Sequence, residues 1–433
     1  MVNTREIVLD CIIEILEKKQ YSHQVIKQAL DKYGYLDKRD RSFIKRVTEG
    51  TIERCMELDH VLNLYSKVPV SKMKPVIRSI LRIGVYQLLY MDGVPDSAVC
   101  NESVKLAAKR GFAGLKGFVN GVLRSVAKQK GKIPYPAREE NAKSYLSLTY
   151  SMPEWIVERW LASYGEAQTE EILAGLLAER PLTIRIKESL SPAAKQELLE
   201  EMNRIGIGAE QIKELPYAYW ITGADRVEAI PGFMEGKCFV QDAGSMAILE
   251  AAEIKEGQSI IDVCAAPGGK ALHGAEKLKG TGMVTARDVS EYKVLLMKEN
   301  IKRSGLTNIR AQVQDALMLR EEDVEKADLV IADLPCSGLG VIGRKGDIKY
   351  RIGPEDIEKI TKLQRKILSV VWQYVRPGGK LLYSTCTLTE EENHQNAVWL
   401  CENFPFQLIK ERTLLPGKEG TDGFYLAVLA KKK

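Results

Sequence analysis

The chain has 433 residues, of which 45% are hydrophobic and 28% charged, and its formal net charge is +5. This length exceeds what one hydrophobic core usually serves, so two or three domains are expected. No apolar run approaches the roughly 18 residues of a membrane span, and acidic residues interrupt the N-terminal apolar pattern. We therefore expect a cytoplasmic protein that has no membrane partner.

The eight cysteines contain no CxxC pair and no Cys/His ligand cluster. That spacing disfavours both a zinc site and a disulfide framework, and we expect no metal. Reduced cytoplasmic thiols are either buried fillers or activated nucleophiles, and their sequence context must distinguish the two.

The first third of the chain predicts a helical bundle. Apolar residues recur at helical spacing from Ile7 to Leu16, and the pattern continues to Val126 without a strand-like stretch. Residues 1–140 hold 25 Lys and Arg against 16 Asp and Glu. This basic surplus fits nucleic-acid binding, although a solvated helical surface carries such a surplus equally often.

A linker and a small module follow the bundle. Gly131 to Pro136 have linker composition and place a boundary near residue 138. From 139 to 235 the pattern predicts helix, strand and helix, the second helix capped by Ser191, which indicates a small α/β module.

From residue 236 onward, strand-like runs alternate with helical patterns. This alternation predicts a doubly wound, mainly parallel sheet whose ligand site lies beyond the carboxyl ends of its strands. DVCAAPGGK (Asp262–Lys270) reads as a strand, a small-residue turn and a helix start. Because it matches neither GxGxxG nor GxxxxGK[ST], a dinucleotide dehydrogenase and a P-loop are both disfavoured.

Four acids stand at or near separate strand ends: Asp262, Asp288, Asp315 and Asp333. Asp288 lies about 20 residues past the glycines, where a carboxylate can accept the hydroxyls of a ribose. A single such acid is usually a turn or helix cap, but four together favour an adenosyl ligand. The pattern fits S-adenosylmethionine.

Two cysteines follow adjacent predicted strands. Asp333-Leu334-Pro335-Cys336 carries a thiol where amino-group methyltransferases have an aromatic residue, and Cys386 ends the next strand. Covalent attack suits a pyrimidine, because a thiolate that adds to carbon 6 of cytosine makes carbon 5 nucleophilic. One thiol can form the adduct while the other assists proton removal and release. The spacing leaves open which cysteine does which.

The motifs DVCAAPGGK, Gln314–Ala316, Asp333–Gly338 and Tyr383–Asn393 resemble those of cytosine carbon-5 RNA methyltransferases. Three ordered N-terminal segments, Asp40–Asp59, Ile77–Ala107 and Gly117–Arg124, resemble the NusB-like RNA-binding domain. Together they identify the chain as similar to the RsmB (Sun/Fmu) family over nearly its whole length.

This resemblance implies three domains: a NusB-like all-α bundle (1–138), a small RRM-like α/β module (139–235) and a Rossmann-like class I methyltransferase (236–433). It implies that Cys386 is the nucleophile and Cys336 the release residue. The residues that would contact the cofactor are Cys264, Ala265, Ala266, Pro267, Gly268, Gly269, Lys270, Asp288, Asp315 and Asp333. The implied substrate is 16S ribosomal RNA, and a monomer is expected.

Two alternatives stay open at this point, namely the same chemistry on tRNA and a non-catalytic NusB-like RNA-binding protein. Two smaller expectations concern single segments. By the resemblance, residues 343–349 belong to an RNA loop, although they lack the proline that the family commonly has before the Asp, which leaves their substrate contacts open. Thr389 with Glu392 is interpreted as a helix capping box.

Overall fold

The computed structural model describes residues 3–179, 181–417 and 420–433. It contains two compact units, the first made of residues up to Leu177 together with Ile342–Ile352, and the second of Ala178–Val341 and Gly353–Lys433. Among the described residues, no helix combines the length and apolar character that crossing a membrane requires. The ranges 1–138, 139–235 and 236–433 stay a prediction.

The first unit is helical, as predicted, and residues 3–177 contain no strand. Its helices are α1 (Thr4–Ile12), α2 (Ser22–Lys32), α3 (Lys38–Glu53), α4 (Cys55–Tyr65), α5 (Pro75–Tyr90), α6 (Asp96–Lys109), α7 (Lys116–Gln129), α8 (Ala142–Thr149) and α9 (Glu154–Leu177). Helix α5 is apolar on most of its circumference and lies buried in the core of this unit. Arg82 on α5 binds Asp59 of α4 through two hydrogen bonds of 2.7 and 2.6 Å.

The segment Ile342–Ile352 belongs to this helical unit although it lies far along the chain. Asp347 accepts hydrogen bonds from the backbone N–H and the hydroxyl of Ser22, and Lys349 Nζ donates to the carbonyl oxygen of Glu53 at 2.7 Å. Both charged side chains are buried, and burial lowers the pKa of Lys349 to about 8. These two charged side chains therefore bind other residues of the unit, and the RNA contact expected of residues 343–349 stays a prediction.

The second unit contains two sheets. The smaller has the order β2-β3-β1-β4 and comprises β1 (Leu182–Ile186), β2 (Gly208–Gln211), β3 (Ala218–Thr222) and β4 (Cys238–Val240). The larger has the order β10-β11-β9-β8-β5-β6-β7 and comprises β5 (Ser259–Asp262), β6 (Met283–Asp288), β7 (Ile309–Val313), β8 (Ala327–Asp333), β9 (Val375–Thr385), β10 (Phe406–Leu414) and β11 (Phe424–Lys431). The helices are α10 (Pro192–Arg204), α11 (Ala243–Glu250), α12 (Gly269–Lys277), α13 (Glu291–Ser304), α14 (Pro354–Val371) and α15 (His394–Asn403). Ser191 caps α10 as predicted, since its hydroxyl accepts the N–H of Ala194 at 3.2 Å.

The larger sheet is buried on both faces, which explains its continuous apolar strands. In β8, Leu329 and Ile331 point into a core shared with α12 and α13, whereas Val330 and Ala332 point into a core shared with α14 and α15. Burial of Leu329, Val330 and Ile331 stabilises the fold by roughly 1.5–3 kcal/mol for each side chain.

Chain order places a topological switch point at the centre of the larger sheet. From β5 the chain continues through β6 to β7 on one side and then crosses to β8 on the other side of β5. Strands β5 to β9 are parallel neighbours, so their carboxyl ends share one edge. Ligands bind in doubly wound sheets at this position, between the loops that follow β5 and β8.

A buried ion pair lies between the smaller sheet and α12. Arg185 of β1 is paired with Glu276 of α12, and both are nearly inaccessible to solvent. Glu276 Oε1 also accepts the N–H of Glu188 at 2.9 Å, and Arg185 Nε donates to Gln241 Oε1 at 3.0 Å. Burial lowers the pKa of Arg185 to about 10, so the guanidinium stays charged at neutral pH.

The described residues contain one group with metal-ligand spacing, beside this pair: Glu188, Glu250 and His273. The Nζ atom of Lys277 lies 2.7 Å from a carboxylate oxygen of each of the two glutamates. Burial lowers the pKa of His273 well below its ordinary value. One ammonium group thus already pairs with both acids, and the cluster forms a salt-bridge network.

We predict that Glu276→Ala lowers the free energy of unfolding of the second unit by about 3–5 kcal/mol, because it leaves the Arg185 guanidinium buried without a counter-charge. Urea denaturation followed by tryptophan fluorescence measures the change. Lys279→Ala is the control, because Lys279 forms an exposed pair with Glu256 at 3.0 Å and its removal should cost about 1 kcal/mol or less. Equal effects of the two substitutions would contradict the prediction.

Candidate functional site

The predicted site residues lie in loops at the carboxyl edge of the larger sheet. Asp262 ends β5, and Cys264 to Gly268 form the loop that leads into α12 at Gly269. Asp288 ends β6, Asp315 lies two residues beyond β7, and Asp333 ends β8. The loop after β8 carries Cys336, and Cys386 directly follows β9.

Asp262 is a buried acid at the centre of this edge. It is 1% exposed, and neither carboxylate oxygen has a partner at hydrogen-bonding geometry among the described residues. Burial, reinforced by the nearby charge of Asp333, raises the pKa of Asp262 to about 8. A cationic ligand close to this carboxyl would favour its ionised form.

The loop after β5 leaves room for a ligand beside the helix start. Gly268 has φ +107°, a left-handed conformation that side chains rarely adopt, and no heavy atom lies within 4 Å of where a Cβ on Gly269 would stand. No side chain caps the first turn of α12. Its free backbone N–H groups and partial positive charge suit a carboxylate or another polar group of a ligand.

Asp288 and Asp315 each use one carboxylate oxygen in their own turn. Asp288 Oδ1 accepts the N–H of Ser290 at 3.0 Å, and Asp315 Oδ1 accepts the N–H of Leu317 at 2.9 Å. Lys293 Nζ lies 3.9 Å from Asp288 Oδ2. Each acid is thus a turn residue, and each keeps a second oxygen that can accept a ligand hydroxyl or amine.

Asp333 accepts hydrogen bonds from residues of both α12 and β9. Its Oδ2 accepts from Lys270 Nζ at 2.7 Å, and its Oδ1 accepts from the hydroxyl of Ser384 at 2.7 Å. Burial opposes the charge of Lys270, but Asp333 outweighs it and the pKa of Lys270 is raised. Ser384 was not among the predicted site residues, although it lies within the motif Tyr383–Asn393 that carries Cys386.

These residues fit S-adenosylmethionine. The edge carries more carboxylates than cations, which suits a positive sulfonium centre, and Asp288 keeps one carboxylate oxygen outside its own turn. The loop of small residues allows close approach of a ligand to the backbone. Among the predicted cofactor residues, Cys264 is partly accessible to solvent, and burial of its thiol raises the pKa far above the usual range. Cys264 is therefore a protonated wall residue in this arrangement.

The two predicted catalytic thiols are in contact. The Sγ atoms of Cys336 and Cys386 lie 3.1 Å apart, and the backbone N–H of Cys386 donates to Cys336 Sγ at 3.3 Å. Both residues are partly accessible to solvent. The hydrogen bond to Cys386, together with burial, raises the pKa of Cys336 well above its ordinary value. The structure thus brings the two cysteines that follow adjacent strands together at one edge of the sheet.

Backbone contacts hold the two cysteine loops against each other. The N–H of Gly340 donates to the carbonyl oxygen of Cys386 at 3.0 Å, and the N–H of Gly423 donates to the carbonyl oxygen of Gly340 at 2.8 Å. A Cβ on Gly340 would stand 2.1 Å from the Gly423 carbonyl oxygen, so only glycine allows this approach. The loop after Cys336 is therefore closely packed on the residue that carries the second thiol.

The predicted capping box at Thr389 and Glu392 is wrong. Helix α15 begins at His394, one residue after Asn393, and Glu392 lies outside it. The Thr389 hydroxyl does donate to Glu392 Oε1 at 2.8 Å, but that carboxylate also accepts from residues of the Cys336 loop and of α14. The Thr-x-x-Glu spacing matched the motif, while the partners of Glu392 are distant in sequence.

Models of three protein families match the chain. The 16S rRNA methyltransferase RsmB/F family matches residues 249–430, the NusB family residues 2–128, and the ferredoxin-like domain of RsmF/B-type methyltransferases residues 152–228. These matches confirm the predicted fold class of a NusB-like bundle, a small α/β module and a Rossmann-like methyltransferase.

Relatives of full length lead to the same family. The probable ribosomal RNA small subunit methyltransferase B of Bacillus subtilis is 33% identical over 99% of this chain and 99% of its own. Its counterpart in Synechocystis is 30% identical over 100% of both chains. The crystal structure of PH0851, at 24% identity, has the same fold with a TM-score of 0.81 over 100% of this chain and 99% of that chain. The chain therefore belongs to the ribosomal RNA small subunit methyltransferase B family, whose methyl donor is S-adenosylmethionine.

Proposed function

We propose that this chain methylates carbon 5 of a cytosine in 16S ribosomal RNA through a covalent cysteine adduct. The family accounts for the coarser function, S-adenosylmethionine-dependent methylation of ribosomal RNA. One observation carries the finer proposal: two cysteine sulfurs lie 3.1 Å apart at the sheet edge where the cofactor residues converge.

Carbon 5 of cytosine needs activation before it can accept a methyl group. Addition of a thiolate to carbon 6 pushes electron density onto carbon 5, which then becomes nucleophilic. S-adenosylmethionine, when bound, supplies an electrophilic methyl group. The chain must afterwards lose the carbon 5 proton and break the sulfur–carbon bond. Reaching the base also requires that it leave its stack, as enzymes acting on nucleobases generally demand.

The family resemblance implies the division of roles, with Cys386 as the nucleophile that attacks carbon 6 and Cys336 as the release residue. Their Sγ atoms lie 3.1 Å apart, and either sulfur can be the donor in this contact. The hydrogen bond to Cys386 and burial raise the pKa of Cys336, which makes its thiolate form a strong base. In the release step this thiolate takes the carbon 5 proton, and the electron pair of that C–H bond restores the ring double bond as the Cys386 sulfur leaves.

Asp333 is positioned between the two halves of the site. Donors on both carboxylate oxygens, Lys270 and Ser384, fix its orientation. Because Lys270 follows the cofactor loop and Ser384 lies two residues before Cys386, this acid connects cofactor binding with the nucleophile. We assign Lys270, Asp288, Asp315 and Asp333, with the Cys264–Gly269 loop, to the cofactor.

The helical unit supplies the RNA-binding part of the proposal. Its basic surplus, 25 cations against 16 acids in residues 1–140, provides the phosphate contacts that dominate affinity for nucleic acid. A non-catalytic RNA-binding protein would have no use for two thiols in contact beside a cofactor loop, so the enzyme is favoured over that alternative. The adduct assay below is run with both 16S ribosomal RNA and tRNA, and it therefore distinguishes these two candidate substrates.

Cys386→Ala should lower methylation of 16S ribosomal RNA by about 10⁴-fold or more, because the nucleophile is removed. Incorporation of tritiated methyl groups measures the rate. Cys401→Ala, which changes a thiol of α15 outside the site, is the control and should keep the wild-type rate. A Cys386→Ala enzyme with undiminished turnover would refute the proposal.

Cys336→Ala should convert the RNA substrate into a protein–RNA adduct that survives a denaturing gel, because addition proceeds and release does not. The double variant Cys336→Ala/Cys386→Ala is the matched control and should form none. The assay is run in parallel with 16S ribosomal RNA and with tRNA. An adduct that forms with tRNA alone would assign the chemistry to the other substrate.

Asp288→Asn should weaken binding of S-adenosylmethionine about ten- to a hundredfold, since a charged acceptor of the ribose hydroxyls becomes neutral. Isothermal titration calorimetry measures the affinity. Asp328→Asn serves as the control, because Asp328 lies at the start of β8 and accepts the N–H of Ser259 at 2.8 Å on the opposite edge of the sheet. Unchanged affinity in Asp288→Asn would remove this residue from the cofactor site.

A further inference from the structure

A buried polar network lies behind the two thiols. Its centre is a pair of consecutive residues, Glu392 and Asn393, which precede α15 and are 0% and 3% exposed. Together these two side chains bind the residues that adjoin both cysteines. Buried polar groups of this kind are costly unless fully satisfied, and these two are well supplied with partners.

Glu392 holds the loop that carries Cys336. Its Oε2 accepts the N–H of Ser337 at 2.9 Å and Nε2 of Gln364 at 3.1 Å. Its Oε1 accepts the hydroxyls of Ser337 at 2.5 Å and of Thr389 at 2.8 Å. Ser337 directly follows Cys336, so the backbone on that side of the thiol cannot move without breaking charge-assisted hydrogen bonds.

The other side of Cys336 is held through the same carboxylate. Gln364 of α14 donates to Glu392 and also to the carbonyl oxygen of Pro335 at 2.9 Å. Pro335 directly precedes Cys336. Glu392 thus binds Ser337 directly, and it is linked to Pro335 through the side-chain amide of Gln364.

Asn393 binds the residues on both sides of Cys386. Its Oδ1 accepts the hydroxyl of Thr385 at 2.6 Å, and its Nδ2 donates to the carbonyl oxygen of Thr387 at 3.0 Å. These two threonines are the residues on either side of Cys386. The hydroxyls of Thr387 and Ser337 lie 2.7 Å apart, which links the two halves of the network.

We infer that Glu392 and Asn393 are positioning residues for the proposed methyl transfer, Glu392 acting on Cys336 and Asn393 on Cys386. The inference rests on the proposed function, because it assigns each residue to one step. Glu392 governs release of the adduct, and Asn393 governs its formation. The adjacency of the two residues in the chain fixes the separation of the sulfur atoms.

The first experiment separates the two steps. With Cys336 present, Glu392→Ala should accumulate adduct and lower turnover about a hundredfold, as expected for a catalytic group displaced by about 1 Å. In the Cys336→Ala background, Asn393→Ala should slow adduct formation by a similar factor, whereas Glu392→Ala should leave it nearly unchanged. Glu392→Gln should restore much of the lost turnover, because its carbonyl oxygen still accepts and the hydroxyls can reorient.

Leu400→Ala provides the structural control, since Leu400 is fully buried in α15 and its truncation leaves a cavity away from the network. It should not accumulate adduct. If Glu392→Ala and Asn393→Ala instead slow formation and release equally, with the same pattern as Leu400→Ala, the inference is wrong and the network serves stability alone.

A second measurement needs neither RNA nor activity. Diamide takes one hydrogen from each of two neighbouring thiols and leaves a disulfide, and mass spectrometry of the peptides quantifies the link between Cys336 and Cys386. Glu392→Ala and Asn393→Ala should each form this disulfide more slowly than the wild type and Leu400→Ala, because the two sulfur atoms are no longer held together. An unchanged rate would overturn the inference. If Cys336→Ala forms no adduct with any RNA, the proposed function fails, while the diamide result still decides whether the network positions the thiols.

Discussion

The contact between the sulfur atoms of Cys336 and Cys386 depends on the parallel pairing of β8 with β9. Parallel neighbours end at the same edge of a sheet, and residues that follow them meet there although 50 positions separate them in the chain. Had β9 run antiparallel to β8, Cys386 would lie at the far end of the sheet. The proposed chemistry therefore depends on the crossover connection between β8 and β9, which brings the two cysteines to the same edge. Side-chain hydrogen bonds then fix the positions of the cysteine loops.

Electrostatics divides the same edge into two environments. Around β5 and β6 acids exceed cations, and burial holds Asp262 at a pKa of about 8. Behind the thiols, the buried carboxyl group of Glu392 accepts hydrogen bonds on both of its oxygens. Lys270 and Asp333 lie at the junction of the two environments. A cationic donor and a neutral pyrimidine can thus occupy adjoining parts of one edge without competing for the same charges.

Much of this arrangement followed from local sequence pattern. Helical spacing identified the first third, alternating strands and helices identified the sheet, and the acids and cysteines at strand ends identified the edge. Three features could not be found in this way. Strand β10 carries exposed charged residues around Lys410 and resembles no buried strand. Glu392 matched a capping motif, yet its partners Ser337 and Gln364 are remote in the chain. Asp347 and Lys349 appeared to be loop charges, because nothing local indicates that Ser22 and Glu53 receive them.

The late segment Ile342–Ile352 has a consequence for biosynthesis. A ribosome makes helices α1 to α9 long before it reaches residue 342. These helices therefore emerge before the segment that binds Ser22 and Glu53. Until then, Ser22 and Glu53 lack these hydrogen-bond partners, and the unit is complete only after about four fifths of the polypeptide has been made. The helices of the first unit are therefore synthesised well before the segment that completes the unit.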